Sequence, residues 1–560
     1  MMPSAFRNLA ACLLLCAVSI RASCTSADWV FFNAELVGAA QLDHQALAVS
    51  GDRIVAIGSN HALKTWVGEQ TRVIDAKGRS LIPGLIDSHI HAIRAGLTET
   101  VEVKWVGVQR LSLALDLLRR RAEESDDHDW VVVAGGWTPE QFEERRSPTL
   151  AELKEAVGER AAYIQRAYTA VLITPEGMNR LPWAQHADLA SQLRAELNAQ
   201  GQETGWLTGT ARTISSVYDL LPPPNATQQR EGSALWYAQL ARWGITGVLD
   251  PGGYNLPPQA LAATQRLWRE GQLPIRVRFS LSAPRAHQEL SDFVHLTTLI
   301  PMGWGDGLLR FNGLGENVTW GMYNNSRPSV ADKQELHKVL EWAARQAMTV
   351  TFHWNDDETV GHLLEVIERV QQQHDIASLR WSIAHLNNAS KDHLHRMKKL
   401  GMGWLVQNAA YFQRPTMLSK WGFEALQRSP PLGDAIELGL PVGLGTDAHR
   451  VMDPNPFVCL QWAIDGRSID GQLTRTGQHL LTREQALQAY TQGSAWFSHE
   501  EHQRGRLTVG QLADLALLND SYLRIETSRI HTLNAILTLV GGRAVHDTLS
   551  TPHTTQGEKK

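Results

Sequence analysis

Four segments each bring a metal-binding side chain to the end of a strand-like run. The first, Leu81-Ile82-Pro83-Gly84-Leu85-Ile86-Asp87-Ser88-His89-Ile90-His91, closes on two histidines one residue apart. Side chains alternate along extended backbone, so residues two apart point to one side and both imidazoles can reach one ion. Val350-Thr351-Phe352-His353 and Ser382-Ile383-Ala384-His385 end on further imidazoles, and Val442-Gly443-Leu444-Gly445-Thr446-Asp447 ends on a carboxylate. Singly these are weak signals, because a strand-end His is more often a hydrogen-bonded structural residue and an Asp after Gly-Thr a turn residue. Together, four imidazoles and one carboxylate from independent segments suit Zn2+ or a similar divalent ion. The chemistry expected of them is metal-assisted hydrolysis, since such an ion lowers the pKa of water from about 15.7 to roughly 7. Asp447 is the candidate general base that would take the water proton. His353 is the candidate group that polarises the carbonyl.

The elements that must position these residues read as repeated strand–helix units. Runs at 131–136, 245–249 and 275–281 are strand-like. Ser329 reads as an N-cap, and Leu336, Val339, Leu340 and Ala343 then fall on one helical face before the strand at 349–352. Val360, Leu363, Leu364 and Ile367 mark the next helix, and 381–384 the next strand. Such alternation over residues 81–500 implies an α/β fold, a (β/α)8 TIM barrel, whose active face lies at the C-terminal strand ends. A doubly wound open sheet is the alternative, but no glycine-rich dinucleotide fingerprint follows an early strand. Residues around 176–229 fit the alternation poorly and read as an insertion over the barrel. Both ends, 28–80 and 501–550, carry short strand patterns and suggest a small β-sandwich domain built from both chain ends. Residues 551–560 read as a flexible tail.

With these motifs in order, the sequence resembles the amidohydrolase superfamily, and more closely its amidohydrolase-3 group, which includes enzymes similar to N-substituted formamide deformylase. The resemblance covers about residues 28 to 548. It is carried by Pro83 to His91, His353, Ile383-Ala384-His385, Gly445-Thr446-Asp447-Ala448, Asp453-Pro454-Asn455-Pro456-Phe457, Gly510 to Leu515 and Val540-Gly541-Gly542. It implies that His89, His91, His353, His385 and Asp447 are the metal-site residues. It implies hydrolysis of a non-peptide carbon–nitrogen bond by water that a divalent metal activates. Two departures stand against copying the group whole. Where a mid-barrel Lys often becomes carboxylated and bridges two metals, this chain reads Leu309-Arg310-Phe311-Asn312-Gly313-Leu314-Gly315-Glu316. Arg310 does not take that modification, and Glu316 is either the substituting ligand or a loop residue, so one or two ions remain open. Where the group shows Gly-His after an Arg, Arg166-Ala167-Tyr168-Thr169-Ala170 has no His, which makes Tyr168 a candidate replacement.

Composition narrows the remaining choices. The chain has 560 residues, 43% of them hydrophobic, and a net charge of -5, with no block of Lys or Arg, which gives no support for a nucleic-acid partner. The expected partner is a small-molecule substrate, and a homo-oligomer is open. Among 19 Trp, Trp137, Trp206, Trp320 and Trp354 fall near the expected active face as candidate substrate contacts, with core filling as the commoner role. Arg7 and the apolar run Leu9 to Ile20 read as a signal peptide over 1–27, too short to span a membrane, with export to a periplasmic or extracellular location expected; an uncleaved anchor or a lipoprotein through Cys24 is the alternative. Cleavage would remove Cys12, Cys16 and Cys24 and leave Cys459, in an apolar run, as a core residue. Two other function classes stay open: a non-hydrolytic metal-dependent decarboxylase or isomerase, and an inactive binding homologue.

Overall fold

The computed structural model describes residues 26–39, 45–126, 128–253 and 256–550. Residues 1–25 of the expected leader and the tail from Thr551 lie outside them. The N-terminal strands are β1 (Trp29–Phe32), β2 (Glu35–Leu36), β3 (Ala46–Ser50), β4 (Arg53–Gly58), β5 (Arg72–Asp75) and β6 (Ser80–Pro83). One sheet has the order β4-β3-β1-β5. The others, β2 and β6, join β20 (Leu515–Leu518), β21 (Ala535–Val540) and β22 (Arg543–Asp547) in a second sheet, β2-β6-β20-β21-β22. Alternation along the strands decides how the two meet. Phe31, Leu47 and Val49 share one apolar cluster with Leu81, Leu515, Leu517, Leu537 and Leu539, whereas Ala46 and Ala48 face the other way, towards Leu63. Each fully buried leucine there contributes about 1.5–3 kcal/mol.

Strand β7 (Leu85–Asp87) follows β6 after a single residue, Gly84. A Cβ on Gly84 would sit 2.2 Å from the side chain of Thr246, so the tight passage from one sheet to the next requires glycine.

A five-stranded layer comes next: β8 (Val131–Val133), β9 (Ala162–Arg166), β10 (Ala170–Ile173), β11 (Arg194–Leu197) and β12 (Glu203–Thr208), in the order β11-β12-β10-β9-β8. It buries its own faces, one around Trp105, Trp137 and Trp206, the other around Tyr163, Val171 and Ile214. The run 131–136 therefore belongs to this layer and not to the strand–helix repeat, and the insertion expected at 176–229 takes in only its last two strands. Three valines buried on both faces carry the same pattern in any parallel pair, and β8 does pair in parallel with β9.

The remaining strands are β13 (Ile245–Asp250), β14 (Arg276–Leu281), β15 (Leu309–Leu314), β16 (Thr351–Trp354), β17 (Ser382–His385), β18 (Gly403–Gln407) and β19 (Val442–Gly445). They form two four-stranded, wholly parallel sheets, β15-β14-β13-β7 and β16-β17-β18-β19. Helices connect successive strands, among them Ala226–Arg242, Val330–Arg345 and Asp357–Gln371. Ser329 caps the second of these, accepting from Asp332 N. The two sheets touch at both edges. A parallel bridge joins Leu314 to Val350, and at the other edge Ser88 N donates to Leu444 O at 3.1 Å and Asp447 N to His89 O at 2.8 Å. Between them Ile86, Leu249, Ala384 and Leu405 pack on Phe497. The described residues thus form a mixed α/β fold with three further sheets beside these two.

Beneath that cluster lies a buried charge network. Glu500 accepts from Arg278 and Arg504, each at 2.7 Å, and stands 3.4 Å from Arg310. Arg310 also donates to Ser498 O at 2.6 Å, so its side chain is turned to the end of the strands away from the site.

Candidate metal centre and pocket

Every metal-site residue expected from the sequence lies at a C-terminal strand end. His89 and His91 follow β7, His353 lies in β16, His385 ends β17, and Asp447 follows β19. Glu316 follows β15 by two residues and is pinned between the two sheets. Its N–H donates to Pro251 O at 3.0 Å, and its carbonyl accepts His353 N at 3.1 Å. The carboxylate of Glu316 is the centre of the cluster. It lies 3.4 Å from His89 Nε2, 3.5 Å from His91 Nε2, 3.0 Å from His353 Nδ1 and 3.6 Å from His385 Nε2. Asp447 Oδ1 stands 3.1 Å from His91 Nε2 and 3.6 Å from His89 Nε2. Of the two readings of Glu316, ligand or loop residue, the geometry places it with the imidazoles.

These spacings can be tested against what an ion requires. Ligands about 2.1 Å from a tetrahedral ion lie about 3.4 Å from one another. The trios His89/His91/Glu316, His89/His385/Asp447 and Glu316/His353/His385 each bring their ligand atoms within 4.8 Å. Both ring nitrogens of His89, and Nε2 of His385, are buried with no hydrogen-bond partner. Buried polar nitrogens are rarely left so, and Nε2 of both His89 and His385 faces the Glu316 carboxylate. The donor set and its unsatisfied atoms fit a divalent metal.

Electrostatics agree. Burial alone would keep His89 neutral, but the carboxylates of Asp447 and Glu316 outweigh it and raise its pKa to about 10. Burial and the neighbouring His353 instead lower His385 to about 4. Glu316 and Asp447 are both held below the usual carboxylate range; burial works against this, and the surrounding imidazoles overcome it. Positive charge is therefore favoured between the two carboxylates. Backbone strain marks the same place, since His385 and Asp447 have φ of 73° and 52°, in the left-handed region.

One side chain the sequence reading passed over sets the pitch of the centre. Asp87 is fully buried; it accepts from Tyr490 Oη at 2.7 Å and Thr446 Oγ1 at 2.8 Å, and receives His89 N at 3.1 Å. It thus ties β7 to β19. Burial lifts its pKa to about 6 in spite of those donors. Gly445 permits the approach, because a Cβ there would lie 2.6 Å from His89 N.

The centre opens into a cavity of about 1050 Å³. Its lining includes His91, Glu316, His353, His385 and Asp447, and also Tyr168, Trp137 and Trp320. Trp206 and Trp354 do not belong to it: both are buried in apolar clusters, with Nε1 donating to Pro148 O and Thr359 Oγ1 respectively. Tyr323, Trp421 and Arg94 line the cavity without having been singled out. Tyr323 stacks on His353 with ring centroids 4.5 Å apart, a contact no local pattern announces. Cys459 is buried, its thiol pushed up by burial, and takes no part.

A model of the amidohydrolase family matches residues 72–546. N-substituted formamide deformylase of Arthrobacter pascens is 20% identical over 91% of this chain and 96% of its own length. The fold is similar to that of an uncharacterised metal-dependent hydrolase from Pyrococcus horikoshii, with a TM-score of 0.63 and 19% identity over 89% of this chain and 99% of that one. It is also similar to atrazine chlorohydrolase TrzN from Arthrobacter aurescens, complexed with zinc, with a TM-score of 0.52 and 16% identity over 93% and 97%.

Proposed function

The chain belongs to the amidohydrolase family, and from that premise we propose that it hydrolyses a non-peptide carbon–nitrogen bond of a small molecule, using a divalent metal held by His89, His91, His353, His385, Glu316 and Asp447. The observation that carries this reading is the convergence of four imidazoles on the Glu316 carboxylate at 3.0–3.6 Å. We read the two parallel sheets as halves of one (β/α)8 barrel, β7 meeting β19 and β15 meeting β16, with a β-sandwich built from both chain ends. Zinc is the ion of choice, because imidazole and carboxylate donors in this number suit it, and the similar TrzN structure holds zinc. Glu316 faces both histidine pairs and is the group that two ions would share. When bound, the metal polarises the amide carbonyl and makes water a stronger acid.

The chain's own residues supply the rest. Asp447 faces the cavity with its side chain 13% exposed and its carboxyl ionised at neutral pH, so it can take a proton from water and deliver it to the departing nitrogen. His353 turns Nδ1 to Glu316, while Nε2 lies 3.2 Å from Asn355 Nδ2. With that amide donating, Nε2 has no hydrogen to give a substrate carbonyl, which weighs against His353 as the carbonyl donor. Tyr168, Trp137 and Trp320 wall the space a substrate would fill. Export through the leader at 1–27 is part of the proposal and rests on the apolar run Leu9 to Ile20. The test is a screen of N-formyl, N-acyl and cyclic amides with metal counted per chain. Turnover that falls on chelation and returns with zinc supports the proposal. Protein free of bound metal, with no turnover on adding it, overturns it.

A further inference from the structure

Most cations of the cavity wall already have partners. Lys420 pairs with Asp356 at 2.6 Å and Arg166 pairs with Glu196. Arg212 is exposed and lies over the Trp320 ring, 5.0 Å from its centroid. Arg94 differs from all three. It follows His91 by three residues, in the first turn of the helix Ala92–Thr98. A helical step of three carries both side chains to the same side. Gly253 marks where they meet: a Cβ built there would lie 3.2 Å from His91 Nδ1 and 3.6 Å from Arg94 Nη1. The guanidinium therefore borders the same small space as a proposed metal ligand, and both line the cavity.

Among the described residues Arg94 has no counter-ion within ion-pair distance, and its Nε is buried without an acceptor. The acidic groups nearby are engaged elsewhere. Asp250 accepts Ile93 N at 2.8 Å and Gly252 N at 2.9 Å, while Glu316 and Asp447 face the histidines. Glu140, also in the cavity wall, accepts from Thr138 Oγ1. A half-buried cation with a buried donor left unpaired is costly to maintain, and a ligand that brings the matching charge removes that cost. The planar fork of arginine matches a carboxylate in particular.

We propose that Arg94 binds a carboxylate of the substrate, so that the molecule cleaved is a small amide with a carboxylate group a few bonds from the scissile carbon–nitrogen bond. This rests on the hydrolytic reading of the cavity. The rest of the wall suits such a molecule, since Trp137, Trp320 and Tyr323 can cover its apolar part.

The test is calorimetric binding to the metal-containing protein, with a matched pair of ligands that have no bond to hydrolyse. β-Benzoylpropionate carries a carboxylate, and its methyl ketone analogue is the same skeleton without the charge. Wild-type protein should bind the carboxylate about 10- to 100-fold more tightly, the range of a charge-assisted hydrogen bond. Arg94→Met should abolish that preference and Arg94→Lys retain part of it. Equal affinity for the two ligands in the wild type overturns the proposal. So does a preference that survives Arg94→Met, which would place the carboxylate on the metal or on another cation. Should Arg94→Met fail to fold, Arg94→Lys decides, because an unchanged preference there also overturns the assignment. An Arg94-dependent preference in a protein that hydrolyses no amide would sink the hydrolytic reading, and with it the amide, but leave Arg94 as the carboxylate site; amide turnover without the preference would sink the Arg94 assignment alone.

Discussion

Glu316 and His353 hold each other twice: the His353 N–H donates to the Glu316 carbonyl at 3.1 Å, and the two side chains meet at 3.0 Å. The backbone bond fixes where β16 lies relative to the end of β15. The side-chain contact then aims an imidazole from one sheet at a carboxylate from the other. The candidate metal centre is thus built across the junction of the two parallel sheets.

Glu316→Gln keeps the shape of the side chain and removes its charge, leaving three buried imidazoles and the part-buried His353 around a neutral amide. We expect metal content per chain to fall and kcat/KM to drop by at least about 100-fold, since loss of one member of a buried charged set leaves the others uncompensated. Full metal content with near-normal turnover would show that Glu316 is not a ligand.

Asp447→Asn is expected to separate the two roles. Four histidines and Glu316 remain, so much of the metal should stay, while turnover falls about 100- to 10,000-fold with the loss of the general base. Metal analysis and steady-state kinetics on one preparation check this, and a variant that turns over normally rules Asp447 out as the base.

Tyr490→Phe removes one donor from the buried Asp87 carboxylate without opening a cavity. The expected cost is about 1–3 kcal/mol in stability, with weaker retention of metal, because Asp87 holds β7 against β19 beneath both His89 and Asp447. Competition with a chelator measures the second effect; metal affinity equal to wild type would reduce Asp87 to a purely structural tie.

Glu500→Gln is expected to destabilise the fold by about 3–5 kcal/mol at neutral pH, because Arg278 and Arg504 would share no buried counter-charge. The pH dependence has a definite sign. Burial raises the Glu500 pKa, but Arg504 and Arg278 overcome this and hold it well below 4.5. A depressed carboxylate stabilises the native state above its unfolded pKa and loses that contribution as pH falls through the folded value. The gap in thermal stability between wild type and Glu500→Gln should therefore be full above pH 4.5 and narrow below it. A gap independent of pH would contradict the assignment.

The candidate metal residues were legible as a cluster because a period-two run that ends on His or Asp says both where the side chain lies and which end of a strand carries it. Glu316 was legible only in part. Its distance from the strand depends on Gly313 and Gly315, and a Cβ at Gly315 would lie 1.9 Å from Pro251 O, a tertiary constraint with no local signature. Trp354 shows the converse: its place beside His353 suggested a substrate contact, yet alternation turns it away from its neighbour and into the core. Arg94 could have been found from its helical spacing to His91, but the lack of a counter-ion that makes it stand out appears only once the chain is folded.

The sheet β2-β6-β20-β21-β22 has a consequence for how the chain is made. Its central strand β20 begins at Leu515, so β6 lacks one of its two neighbours until synthesis has passed that residue. β6 leads through Gly84 straight into the strand that carries His89 and His91. Closure of so long a loop is slow, and an edge left open meanwhile can pair wrongly. A ribosome that stops short of Leu515 would therefore release a chain whose first two candidate metal ligands are attached to an unpaired strand, which ties competence to bind metal to synthesis through β20.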